Sequence, residues 1–161
     1  AMEATSRLAE LNETPSKSFW PKVVLWGIPM LFISGLAWLA YHGMIDEIIE
    51  SGKIWLAINA SLTGLGVLLA RGHPLSILVG ALASPLTSLN PTVAAGWVAG
   101  YTQLKVDPPS GKDASDFLAL DKYSLLWRNR VGKVLLVTAL GNLGSVAGTW
   151  IAAAGIAGII L

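Results

Sequence analysis

The chain has 161 residues, of which 53% are hydrophobic and 13% charged, about half the charged share of an ordinary soluble domain. Its mean hydropathy is +0.60 and its net charge +1, which offers nothing in favour of nucleic-acid binding. It has no cysteine, which excludes a disulfide framework and a thiolate metal site.

The charges are segregated. Residues 23–45, 54–70, 72–104 and 134–161 each lack Asp, Glu, Lys and Arg, and several of these stretches reach the roughly 18–20 apolar residues of a membrane-spanning helix. The pattern predicts an all-α fold: a polytopic integral membrane helix bundle, with a single transmembrane domain over 23–161. Residues 1–22 read as a polar linker, and the mixed charges of the first 18 residues argue against a signal peptide. Ala1-Met2 reads as an expression scar before an internal start, so the natural protein is expected to extend upstream.

The first segment, 23–41, is flanked by Trp20, Trp26, Trp38 and Tyr41, rings suited to the headgroup level, and Pro29 is placed to kink it. A connecting loop is expected over 42–53, carrying Asp46, Glu47 and Glu50. The second segment, 54–70, closes on Arg71-Gly72-His73-Pro74. Gly72–Leu104 then runs 33 residues without a charge, or roughly 50 Å as one helix against a hydrocarbon core of about 30 Å. One straight crossing is excluded, so two short arms are expected, 74–89 and 91–104, meeting at a break over Ser84–Pro91. Pro74 and Pro91 suit helix starts, and Asn90 is a preferred N-cap for the second arm. Whether the arms cross fully or form a re-entrant hairpin is open at this stage. A polar loop follows over 105–130, in which 113–127 has the pattern of an amphipathic surface helix, and the last segment covers 131–155.

Lysine and arginine placement sets the orientation. Lys17, Lys22, Arg71, Lys105, Lys112, Lys122, Arg128, Arg130 and Lys133 put the N-terminus, Arg71 and the 105–130 loop on the cytoplasmic side of the membrane. Both flanks of the Ser84–Pro91 break then lie on one side.

Four segments carry small or polar residues at helical spacing. Asn59, Gly66, Gly80, Gly96, Gly100, Gly141, Ser145 and Gly148 are expected to pack helices closely, since small residues and interhelical hydrogen bonds hold membrane helices together. More of these faces are present than five segments are expected to bury, which predicts a homo-oligomer, a dimer or higher, in the lipid bilayer. Around the break, Ser84, Thr87, Ser88, Asn90 and Asn142 are candidate cavity- or ligand-lining residues. The competing reading of the break is a tight turn satisfied by its own caps. Arg71 and His73 are candidates for a headgroup or anion contact, or else a charge anchor and a helix-starting His-Pro. His42 and His73 fall on opposite sides, so no metal site is expected, and no cofactor is implied. No nucleophile–base pair or phosphate-cradling loop is present. An intramembrane enzyme is thus disfavoured, while a transporter or channel for a small anion or peptide stays open.

Gly72-His-Pro-Leu, Ala83-Ser-Pro-Leu-Thr-Ser-Leu-Asn-Pro-Thr-Val-Ala-Ala-Gly-Trp-Val-Ala-Gly100, Trp127-Arg-Asn-Arg-Val and Leu140-Gly-Asn-Leu-Gly-Ser145 resemble the C-terminal membrane region of the TraB/PrgY family, the pheromone-shutdown proteins. The resemblance runs over about 54–152. It implies a soluble TraB domain ahead of this region, similar to Tiki-like metalloproteases with Gly-x-x-His motifs, and a peptide ligand for the full-length protein. This chain has no Gly-x-x-His, so no catalytic residue carries over. The implied role is to anchor and oligomerise that domain at a prokaryotic, bacterial or archaeal, cell membrane.

Overall fold

A computed structural model of the chain describes residue 30 and residues 33–90, 93–119 and 122–160, and the regular structure among them is helix throughout. The 1–22 linker, the first part of the 23–41 segment and Pro91 lie outside the described residues. The helices are α1 (33–41), α2 (Ile45–Leu69), α3 (Pro74–Thr87), α4 (Ala95–Val106), α5 (Gly111–Ala119), α6 (Leu125–Arg128) and α7 (Arg130–Ile160).

α2 corrects the expected 42–53 loop, because the helix starts at Ile45 rather than 54. Asp46 and Glu47 lie in its first turn, where carboxylates complement the positive end of the helix dipole. A boundary drawn where charge begins therefore cut the helix short. At its other end α2 closes with Arg71 N–H on the Leu68 carbonyl (2.8 Å) and Gly72 N–H on the Val67 carbonyl (3.0 Å), a Schellman ending. Arg71 occupies the left-handed position at φ 56°. Glycine sits one residue later instead, because a Cβ at Gly72 would lie 2.7 Å from the Val67 side chain.

α2 and α7 run antiparallel and form the spine of the bundle, with α3 packed on α2, α4 on α7, and α3 against α4. Their contact is nearly backbone on backbone. A Cβ added to Gly66 would sit 2.2 Å from the Leu140 carbonyl oxygen, one at Gly144 2.2 Å from that of Leu62, and one at Gly148 3.0 Å from Asn59 Cα. Two helices, Ile45–Leu69 and Arg130–Gly158, are long and apolar enough to cross a membrane.

α3 and α4 are shorter, roughly 21 Å and 18 Å by helical rise. Their connection lies beside Asn59 and Thr149, about midway along α2 and α7, since Ser88 and Thr149 both hydrogen-bond to Asn59. The pair is a half-length hairpin. Its second arm begins at Ala95, a correction to the expected start at Pro91.

The expected amphipathic helix over 113–127 resolves into α5 and the single turn α6. Ser110 and Asp113 form a reciprocal cap at the start of α5, with Ser110 N–H donating to Asp113 Oδ2 (2.8 Å) and Asp113 N–H to Ser110 Oγ (3.2 Å). The Ser110 hydroxyl on the Asp113 carboxylate holds that group below the usual carboxylate range.

Candidate functional site

The hairpin tip must find partners for the last carbonyls of α3 and the first amides of α4. Neighbouring helices supply them. Pro85 lies in the last turn of α3, and its own carbonyl accepts the indole N–H of Trp55 from α2 at 3.0 Å. The Ser84 carbonyl accepts Ser88 N–H (2.9 Å), and also the Ser88 and Thr87 hydroxyls. At α4, whose N-cap Ala94 offers no side-chain acceptor, Asn142 of α7 takes that role. Its Oδ1 accepts Gly96 N–H at 2.7 Å.

A polar seam continues from the tip into the bundle. Asn59 donates from Nδ2 to the Trp55 carbonyl (3.1 Å), and its Oδ1 accepts the hydroxyls of Ser88 (2.9 Å) and Thr149 (3.3 Å). One turn further in, Ser84 is fully buried, with Thr63 Oγ1 at 2.5 Å and Ser145 Oγ at 3.2 Å. Among the described residues, the partners of these hydroxyls are other hydroxyls, the Asn59 amide and backbone carbonyls. Below them, Val67, Ala70, Ala99 and Val137 form a buried apolar cluster, each 0% exposed.

Beside the tip, a groove of about 320 Å³ is lined by Thr87, Ser88, Asn90, Asn142, Ser145 and Thr149, with Trp150 and Val93 at its rim. It brings together four of the five residues singled out at the break. Ser84 is the exception, packed inside the bundle rather than facing the groove. Asn90 does not cap the second arm. Its N–H donates to the Thr87 carbonyl (2.9 Å) and its carbonyl accepts Val93 N–H (3.2 Å), so it shapes the turn. Seating Gly96 against α7, where a Cβ would sit 2.1 Å from the Thr138 carbonyl, fixes where α4 begins and overrides the local capping preference.

At the opposite end, exposed His73 is the N-cap of α3, its Nδ1 accepting Leu75 N–H at 3.2 Å. Arg71 is exposed beside it. Gln103, 1% exposed, ties the two arms together: its Oε1 accepts His73 N–H (2.7 Å) and the Ser76 hydroxyl (3.1 Å). Asn129 caps α7 through Val131 N–H (2.8 Å) and donates to the Asp113 carbonyl (2.8 Å). Trp127 Nε1 reaches the Leu69 carbonyl at 3.3 Å, and Arg130 and Lys133 pair with Asp107 at 3.1 Å and 3.4 Å. Trp55, Gln103 and Asn129 were not among the sequence candidates. Gln103 belonged to a polar stripe, and a proline near a helix end signals carbonyls in need of donors, which points to Trp55 only once the helices are placed. Among the described residues no group of His, Asp and Glu gathers to hold a metal ion.

The small-residue faces of α2, α3, α4 and α7 meet one another within a single chain.

The fold is an all-α bundle in which a half-length helical hairpin is locked against a long helix pair by backbone-directed hydrogen bonds. The chain belongs to the TraB family, as the model of the C-terminal domain of TraB family proteins matches residues 20–161. It is 32% identical over 133 residues to an uncharacterized protein of Methanocaldococcus jannaschii, covering 80% of this chain and 34% of that protein. The chain thus spans about a third of that relative's length. No solved structure matches it.

Proposed function

We propose that this chain is the membrane-embedded domain of a TraB-family protein, holding a soluble TraB domain at the bilayer. One observation carries the reading. Polar side chains are fully buried while large apolar ones face out: Asn59, Thr63, Ser76 and Ser84 are 0% exposed, while Leu82 is 67%, Leu86 74%, Leu143 63% and Trp150 74% exposed. In water that distribution is inverted. In hydrocarbon it is the expected one, with large side chains facing lipid and small and polar groups joining helices. α2 and α7 cross, and α3–α4 is a re-entrant hairpin entering from the basic end that carries Arg71, Lys105, Arg128, Arg130 and Lys133. The facing helix ends at that depth are tolerated because Trp55 and Asn142 supply partners to the Pro85 carbonyl and the Gly96 amide. By the positive-inside rule, the basic end is cytoplasmic.

On this reading the domain is an anchor without its own reaction, and any peptide-inactivating chemistry belongs to the soluble part of the full-length protein. A homo-oligomer would use the outer faces, since the inner ones are already paired. The test is fractionation of the expressed chain. It should stay in the pellet of alkaline-washed membranes and leave only with detergent; release by the alkaline wash would refute an integral domain.

A second reading, a conduit for a small anion or peptide, is favoured by the polar groove at Asn90. The buried apolar cluster of Val67, Ala70, Ala99 and Val137 counts against it, because apolar side chains offer an ion or peptide no polar partners. A proteoliposome flux assay should find no flux above lipid background, and flux reduced by Asn90→Ala would favour the conduit.

A further inference from the structure

Among the described residues, the bundle is open beyond the hairpin tip. α1, the first half of α2 and the ends of α3 and α7 surround an apolar groove of about 470 Å³, within the roughly 300–1,000 Å³ of small-molecule sites. Leu36, Leu39, Ile48, Trp55, Leu86 and Leu89 form its walls. Ser51 also lines it, and although this residue is only 5% exposed its hydroxyl has no hydrogen-bond partner within the chain. A buried hydroxyl left unpaired is costly. At the wall of an open groove, it points to a partner supplied by whatever fills the space.

Two further features define the occupant. Glu47, Glu50 and Lys53 neighbour Ser51 on α2, so the hydroxyl lies where the helix leaves its charged segment. The groove itself, from Ser51 to Leu56 and Leu86, has no charged residue among those lining it. Gly35 and Gly52 line the same space, and a Cβ on either would meet no atom within 4 Å. Packing does not demand glycine at these positions, and its effect is to keep the groove wide. A peptide would bring a row of backbone polar groups into a site that offers one unpaired hydroxyl. A hydrocarbon chain with a single polar linkage at one end matches it.

We infer that the groove holds the hydrocarbon chain of one membrane lipid, whose ester or ether oxygen next to the glycerol accepts the Ser51 hydrogen bond. The inference rests on the membrane reading above. The lipid fills the volume that the half-length hairpin leaves between the long helices, so it completes the bundle on the side away from the basic end.

The test uses the full chain in phosphatidylcholine vesicles doped with a phosphatidylcholine bearing a diazirine in its acyl chain. Flotation comes first, then irradiation and mapping of labelled peptides. Labelling at 51–56 and 86–89 should exceed that on the outward faces of 65–69 and 143–151 several-fold. The double variant Gly35→Leu, Gly52→Leu should bring the groove signal down to that of the outward faces and leave theirs unchanged. Ser51→Ala, which removes only the hydroxyl, should also weaken it several-fold and keeps the test decisive if the double variant misfolds. Even labelling of all apolar faces, or groove labelling indifferent to these variants, overturns the lipid site alone. Failure of the chain to float with the vesicles overturns the membrane reading and the lipid site together.

Discussion

The half of the α2–α7 pair beside the hairpin and the half beyond its tip follow different packing rules. In the first, Gly66, Gly144 and Gly148 bring the helices into backbone contact, and hydroxyls and amides join four helices. In the second, a Cβ on Gly52 meets nothing and the nearest contact of one on Gly155 is 3.8 Å, and an apolar groove takes the place of protein. Small residues at the same helical spacing mean close packing where a third and fourth helix arrive, and open space where they do not.

The largest expected effect comes from making similar substitutions in the two halves. Gly66→Val drives a side chain into the Leu140 carbonyl and should destabilise by about 3 kcal/mol or more, as severe overpacking does. Gly52→Ala, with free space around it, should stabilise by about 0.5–1 kcal/mol through helix propensity. Thermal unfolding in detergent reads both, and equal signs would erase the distinction between the halves.

Next in size are the caps that one helix supplies to another. Asn142→Leu leaves the Gly96 amide unpaired, and Gln103→Leu strands His73 N–H and the Ser76 hydroxyl. Each should cost about 1–3 kcal/mol, the usual penalty of a buried unpaired group. Hydrogen exchange should localise the loss to the start of α4 in the first case and of α3 in the second. Trp55→Phe removes the indole donor from the Pro85 carbonyl while keeping an aromatic ring, and should cost about 1–2 kcal/mol; an unchanged melting temperature would mean the tip does not depend on it.

The smallest effect lies outside the bundle. Asp113 titrates below the usual range because Ser110 hydrogen-bonds its charged form. A depressed carboxylate stabilises the fold above its unfolded value, about 3.9, and loses that contribution as pH falls through the folded value. Amides at the start of α5 should therefore keep their protection at neutral pH and lose it in strong acid, while those of α3 and α4 keep theirs. Asp113→Asn should remove that acid dependence.

Much of this architecture was legible in the sequence, because it is written in local signals. Charge gaps marked the apolar helices, the length of the 72–104 gap demanded a break, and His73-Pro74 announced the start of α3. What escaped depends on which helix lies next to which. The first turns of α2 carry charge yet remain helical. Asn90 has the chemistry of an N-cap, but Gly96 against Thr138 decides where α4 starts. Ser84 reads as part of an irregular break, yet it is helical and joins three helices. Trp55 and Gln103 answer backbone groups about thirty residues away, a relation no spacing rule contains. The groove around Ser51 is defined by where the hairpin stops, which only the assembled bundle shows.

The central claim is that the hairpin tip reaches the middle of a bilayer and goes no further. The chain has no cysteine, so a nitroxide on Leu86→Cys, an exposed position at the groove wall near the tip, can report depth in vesicles by comparing relaxation by oxygen with that by a water-soluble nickel chelate. The account predicts strong oxygen and weak nickel accessibility, matching a second label at Leu56→Cys on α2. Nickel accessibility as high as at Tyr123→Cys in the polar loop would contradict it.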